Sequence, residues 1–219
     1  MGYAPDVSAE DDRPLVMRHF STRGLHRRDQ FEAWRDMLSG VVDLVPDSAP
    51  APAFPADADE WVFGDIRFAR YDLDDAPARA WRHRPNLHSD DWCLVIAWPS
   101  GGSAAPVVSF RSLALPFEGR GRDGRVFTLH LPRRGDPRET ADLDEVHGSV
   151  LQAPMAAMLT DYVASLAARL PSMTEAQADA LAEPTRQLVT ACLAPRRFRS
   201  VAADSPPSSP LLDRAPHAG

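Results

Sequence analysis

The chain has 219 residues, of which 44% are hydrophobic and 25% are charged. This balance is typical of a globular protein and excludes a disordered or fibrous chain. Acidic residues outnumber basic ones by 31 to 24, and the net charge of −7 argues against nucleic-acid binding, which needs a concentrated positive patch. All 24 basic residues are arginine, which indicates a GC-rich, bacterial genome.

No apolar run reaches the ~18–20 residues that a membrane-spanning helix needs. The first twelve residues are acidic and lack the basic and apolar segments of a signal peptide. We therefore expect a cytoplasmic protein with no membrane contact. The two cysteines, Cys93 and Cys192, are too few for a disulfide framework and are expected to be buried thiols.

The N-terminal part of the chain predicts an arm, a helix and a loop. Residues 1–19 are polar and predict a flexible arm that ends in a short strand at 15–17. A helix is predicted over 24–44, because four apolar residues recur at helical spacing: Phe31, Trp34, Leu38 and Val41. Residues 46–59 hold four prolines in ten positions, which predicts a loop.

Short strands are predicted from residue 61 to residue 132. They are rich in aromatic and branched residues, and glycine-containing turn signals separate them at 100–103 and 119–124. In the strand predicted over 107–115, residues 107, 109, 111 and 113 face opposite residues 108, 110, 112 and 114. This spacing favours an antiparallel sheet closed into a small barrel or sandwich.

An antiparallel helix pair is predicted over 153–193, from apolar stripes at helical spacing. Pro171 is expected to end the first helix, and Ser172 and Glu175 to form a capping box for the second. Pro184 predicts a kink or break in that second helix. Residues 195–219 are rich in proline and serine and predict a disordered linker or tail.

Aromatic residues and a few polar ones are the candidates for a ligand site. Seven aromatic residues lie in the predicted strands: Trp61, Phe63, Trp81, Trp92, Trp98, Phe110 and Phe127. They would fill a packed barrel, and packing is the more common role for any one of them. Alternatively, Trp81 and Trp98 line a cavity, in which Arg67, Arg79 or His83 holds the polar end of a ligand.

Motifs for catalysis, metal binding or phosphate binding are missing. His83 and His88 are five residues apart with Pro85 between them, and no closely spaced histidine pair with a following glutamate exists. The sequence holds no Gly-x-Ser-x-Gly elbow and no glycine-rich phosphate loop. We expect no catalytic residue, no metal site and no cofactor.

Several segments resemble the N-terminal regulatory domain of the AraC/XylS family of transcriptional regulators. The resemblance covers roughly residues 15–195 and is carried by 20–38, 63–70 (FGDIRFAR), 110–119 (FRSLALPFEG) and 147–156 (HGSVLQAPMA). It implies a cupin-like barrel that senses a small effector and a helix pair that dimerises. In the family, two helix-turn-helix units that bind DNA follow this domain. Here residues 211–214 resemble the lead-in to that part, and five residues later the sequence ends.

The expected fold is therefore α+β, a small antiparallel cupin-like β-barrel preceded by one helix and followed by an antiparallel helix pair. The expected function is that of the small-molecule-sensing and dimerisation domain of an AraC-type regulator, truncated before its DNA-binding module. We expect an unknown small-molecule effector, a homodimer, and no DNA binding by this chain alone. The dimer contacts are predicted on the first helix of the pair, at Met155, Met158, Tyr162 and Leu166. Two alternatives are a cupin-type metal-dependent enzyme and a degenerate barrel that binds no ligand.

Overall fold

The computed structural model describes residues 13–46, 53–85, 90–100, 105–121, 123–134 and 143–193. Within these residues the chain forms two antiparallel sheets and a set of helices, which confirms the expected α+β class. The strands are, in chain order, β1 Met17–Ser21, β2 Asp43–Pro46, β3 Asp57–Phe63, β4 Ile66–Asp72, β5 Arg79–His83, β6 Trp92–Pro99, β7 Val107–Ser112, β8 Phe117–Gly121 and β9 Gly124–Leu131. The larger sheet has the order β1-β3-β4-β9-β6-β7, and the smaller one has the order β2-β5-β8.

One face of the larger sheet forms the main core with the C-terminal helices. The helices are α1 Gln30–Leu38, α2 Met155–Arg169, α3 Glu175–Asp179 and α4 Ala182–Leu193, with a 3-10 helix at Leu170–Ser172. Side chains alternate across a strand, so that Phe127, Leu129 and Leu131 of β9 join this core. The residues that alternate with them, Val126, Thr128 and His130, belong to the opposite face.

A second, smaller core lies around α1. Phe31 and Trp34 are each only 1% exposed and pack with Leu44 and Phe54. The helical spacing of Phe31 and Trp34, identified in the sequence, therefore does mark a buried helix face. This cluster anchors the N-terminal segment beside the space between the two sheets.

The predicted helix over 24–44 is wrong at both ends. The helix covers only Gln30–Leu38, and the chain at Asp43–Pro46 forms β2 instead. The cause is the contact with β5. Leu44 is opposite Trp81 in the register of the two strands, and this pairing satisfies the backbone N–H and C=O groups that a helix would otherwise satisfy. Strand β3 also begins at Asp57, inside the predicted loop 46–59, because its first residues pair with β1.

Residues 13–19 of the predicted arm are paired with the rest of the chain. Met17 is opposite Trp61 in the register of β1 with β3, and the Leu15 amide donates to the Met173 carbonyl at 3.0 Å. The expectation of a flexible arm over 1–19 is therefore wrong for these residues. The predictions of an arm over 1–12 and of a linker or tail over 195–219 lie outside the described residues.

The turn between the predicted helices also differs from expectation. Thr174 caps α3, and Gln177 returns the hydrogen bond of the capping box, in place of Ser172 and Glu175. Ser172 instead belongs to the 3-10 helix, which extends α2 through Pro171. Pro184 lies in the first turn of α4, where its missing N–H costs no helical bond, and the break falls before it.

Candidate functional site

A cavity of about 720 Å³ lies between the two sheets. This volume is within the roughly 300–1,000 Å³ typical of small-molecule sites. One wall is the face of the larger sheet that points away from the main core. The other wall comes from the smaller sheet, from the end of α1 and from the segment after it, and includes Leu38, Val42, Leu44, Trp81 and Phe117.

The wall from the larger sheet changes from polar to apolar along its strands. Arg111, Cys93 and His130 are neighbours in register on β7, β6 and β9. Two residues further along each strand come Ser109, Val95 and Thr128, and then Val107, Ala97 and Val126. A ligand would therefore meet a basic end and an apolar end along one wall.

Arg111 is the most distinctive side chain of the polar end. It is 9% exposed, and its Nη1 donates to the Phe110 carbonyl at 2.9 Å. Burial lowers the pKa of Arg111 from its ordinary value. Among the residues that the structure describes, no carboxylate forms an ion pair with it. Its guanidinium lies 5.9 Å from the centre of the Phe117 ring.

Trp81 and Phe117 form an aromatic corner on the opposite wall. Their ring centres are 5.6 Å apart in an edge-to-face arrangement. Nearby, Arg79 also lines the cavity and is 7% exposed. Burial lowers the pKa of Arg79 to about 10, against the opposing effect of Asp123.

Arg67, expected to bind the ligand, is the neighbour of His130 in the register of β4 with β9 and is not among the residues that line the cavity. Its Nη2 is 3.2 Å from Nδ1 of His130, and His130 itself lines the cavity. Because a guanidinium only donates, Nδ1 accepts, and the imidazole proton is on Nε2, 3.8 Å from the Cys93 sulfur. Burial, assisted by the Arg67 charge, lowers the pKa of His130 to about 3, so His130 is neutral at pH 7.

His83 is also outside the cavity lining, although it was expected to hold a polar end. It is 1% exposed, and its ring nitrogens face the carbonyl oxygens of Val41 and Leu113. Its ring stacks on Phe117 with centres 4.5 Å apart. His83 therefore fixes the aromatic corner from behind, while Phe117 presents its side chain to the cavity.

The aromatic residues of the strands lie in two places: some line the cavity, and the others belong to the main core. Trp81 and Trp98 are among the residues that line the cavity, and Trp98 also packs against the main core. The others are in the main core against the helices: Trp61, Phe63, Trp92, Phe110 and Phe127. Trp98 contacts one of these, with its ring 5.0 Å from that of Phe127.

Sequence reasoning missed Arg111 as a site residue, although a signal was present. Val107, Ser109 and Arg111 alternate along one strand, and an arginine in such a row either reaches solvent or enters a cavity. Phe117 was missed because β8 is short and contains two glycines, which gave it the pattern of a turn.

The four predicted dimerisation residues differ in exposure. Met158 is 41% exposed, and Met155 and Tyr162 are half-buried. The Tyr162 hydroxyl is 2.5 Å from Oγ1 of Thr185 in α4. Leu166 is 4% exposed and belongs to the main core of the monomer, so it is not available for a partner.

The described side chains provide little for metal or thiol chemistry. Over these residues, no three His, Cys, Asp or Glu side chains lie close enough to hold a metal ion. Burial raises the pKa of the Cys93 thiol to about 12, which keeps it protonated and weakly nucleophilic at neutral pH. No helix in the described part of the chain is long and apolar enough to cross a membrane.

No protein-family model matches the chain, and no curated protein matches its sequence. Among solved structures, the fold is similar to the crystal structure of the AraC-like transcriptional activator CuxR, with a TM-score of 0.63 and 24% sequence identity. The match covers 85% of this chain and 73% of that one. This likeness confirms the expected fold, an antiparallel β structure preceded by one helix and followed by further helices.

Proposed function

We propose that the chain is the small-molecule-sensing domain of an AraC-type transcriptional regulator. The observation that carries this proposal is the cavity between the two sheets, with apolar walls and a polar end. The likeness in fold to an AraC-like activator supports the regulatory role. A degenerate, fully packed barrel is disfavoured by the size of the cavity, and no described cluster of metal-ligating side chains favours a cupin-type enzyme.

Two further parts of the proposal concern partners. The chain forms a homodimer through α2, where Met158 is exposed and Met155 and Tyr162 extend the same helix face. The 219-residue chain does not itself bind duplex DNA, in keeping with its net charge of −7. Tight, salt-sensitive binding of any duplex would contradict this second part.

The sensing role is tested with N-phenyl-1-naphthylamine, an uncharged probe that fluoresces in apolar surroundings. The expected result is saturable binding at one site per chain, with energy transfer from tryptophan. Val95→Trp should abolish this binding, because Val95 lies in the middle of the cavity wall, between Ser109 and Thr128 in the register. The variant should still unfold cooperatively on heating.

The matched control is Val45→Trp. Val45 is also a strand valine, but it is 50% exposed and does not line the cavity. This variant should bind the probe like the unmodified chain. If the probe does not bind, or if Val95→Trp and Val45→Trp bind it equally well, the cavity is not a ligand site.

A further inference from the structure

We propose that the ligand is a ring-bearing organic anion, with its carboxylate, phosphate or sulfonate on Arg111 and its ring against Trp81 and Phe117. This inference rests on the proposed function and adds the chemical class of the ligand. Two neighbouring features of one cavity support the inference. One is the buried guanidinium of Arg111, which has no carboxylate partner among the described residues, and the other is the aromatic corner formed by Trp81 and Phe117.

The guanidinium of Arg111 is available to an anion. Burying a charge without a counter-charge is costly, and such groups are found where a ligand supplies the missing charge. Within the described chain, its one hydrogen bond goes to the Phe110 carbonyl, from Nη1. That carbonyl also accepts from the Gly148 amide at 3.0 Å. The other N–H groups suit the paired acceptors of a carboxylate, phosphate or sulfonate.

The charge of the cavity favours the same class of ligand. Its described lining contains three arginines, Arg79, Arg111 and Arg120, against a single acidic residue, Asp123. The adjacent His130 is neutral at pH 7 because burial lowers its pKa to about 3. The cavity is therefore positive in a chain whose net charge is −7, so the positive sign is a local property of the site.

The shape of the opposite wall favours a ring next to the anionic group. The Phe117 ring lies under the Arg111 guanidinium at 5.9 Å, and Trp81 meets Phe117 edge to face. His83 stacks behind Phe117 and keeps that ring in place. A flat ring bound against Trp81 and Phe117 would bring a substituent of its own within reach of Arg111.

The test compares two probes that differ by one charged group. These are N-phenyl-1-naphthylamine and 8-anilinonaphthalene-1-sulfonate, which has the same rings and an added sulfonate. We expect the sulfonate to bind about tenfold more tightly or better, as a charge-assisted hydrogen bond to a buried arginine implies. Arg111→Gln should remove this preference by weakening binding of the sulfonate far more than binding of the uncharged probe, whereas Arg111→Lys should keep part of it.

Arg82→Gln is the matched control, because it removes one positive charge from the same protein outside the cavity. Arg82 is exposed and pairs with Glu118 on the smaller sheet. This variant should keep the full preference for the sulfonate. Equal affinities of the two probes, or a preference that survives Arg111→Gln, would overturn the inference and leave the sensing role intact. Failure of both probes to bind would overturn the sensing role together with the inference.

Discussion

Trp81 lies across Gly119 of the neighbouring strand, so closely that a Cβ atom at position 119 would fall 2.5 Å from Cζ2 of the indole. The two residues are direct partners in the register of β5 with β8. No real Cβ contact is that short, so the glycine is required for the indole to lie where it does. The shape of the aromatic wall of the cavity therefore depends on a residue without a side chain.

Gly119→Ala is expected to displace the indole of Trp81 and to weaken binding of N-phenyl-1-naphthylamine several-fold. The added methyl group and the ring cannot occupy the same space, and overpacking of this kind costs about 1–3 kcal/mol. Probe titration and near-ultraviolet circular dichroism measure the two effects. Gly40→Ala is the control, because a Cβ there meets no atom within 4 Å. Unchanged binding by Gly119→Ala would show that the ring position does not matter.

Arg111→Met is expected to stabilise the ligand-free protein by about 1 kcal/mol or more, because it replaces a buried charge, which no carboxylate of the described residues compensates, with an apolar side chain of similar length. The Phe110 carbonyl keeps its hydrogen bond from the Gly148 amide, so no acceptor is orphaned. Urea unfolding of the two proteins measures the difference. A loss of stability would mean that Arg111 serves the fold rather than a ligand.

The free energy of unfolding is expected to fall as pH falls from about 6.5 towards 4, partly through His130. In the unfolded chain this imidazole takes up a proton near its ordinary pKa of 6.5, whereas burial keeps it neutral in the folded chain down to a pKa of about 3. Between these values the unfolded state binds more protons, so acid favours unfolding by up to about 1.4 kcal/mol per pH unit.

Removing the imidazole should therefore flatten the dependence of stability on pH. Urea unfolding of His130→Gln at pH 7, 6 and 5 is expected to show a smaller slope than the unmodified chain. A residual slope is expected, because burial also lowers the pKa of His147. Equal slopes for the two proteins would show that His130 is not the neutral, buried group described above.

Met158→Arg is expected to convert the proposed dimer to a folded monomer. Met158 is the exposed large apolar residue of α2, and a charge there would be buried without a partner at a two-fold interface. Ala164→Arg, on another exposed side of the same helix, should leave the dimer intact. Sedimentation at roughly tens of micromolar measures both. If the unmodified chain is already a monomer, α2 is not a dimer interface.

The sequence was informative wherever one periodicity covered a whole element. The apolar stripe of α2 and the alternation of β7 follow directly from helix and strand geometry, and both elements are present. Strand β2 could not be predicted in this way. It has four residues, and it is a strand because β5 lies beside it.

The sequence indicates the kind of site, an aromatic cavity with a polar end, but it does not show which arginine lines that cavity. Arg67 and Arg111 are both arginines in short alternating strands, and nothing local to either one shows which of them meets a ligand. The difference arises in the assembled sheet, where Arg67 contacts His130 and does not line the cavity, whereas Arg111 lines it directly. Such a distinction depends on strand order and register, which bring together residues distant in sequence.

The central claim is that the space between the two sheets takes a small molecule, and nuclear Overhauser contacts from a bound probe test it most directly. With valine methyl groups labelled, N-phenyl-1-naphthylamine protons should show contacts to Val95, Val107 and Val126, which line the cavity. No contacts should reach Val45 or Val62, which are about half exposed elsewhere on the strands. Contacts confined to Val45 or Val62, or no contacts with any of these valines at saturating probe, would contradict the account.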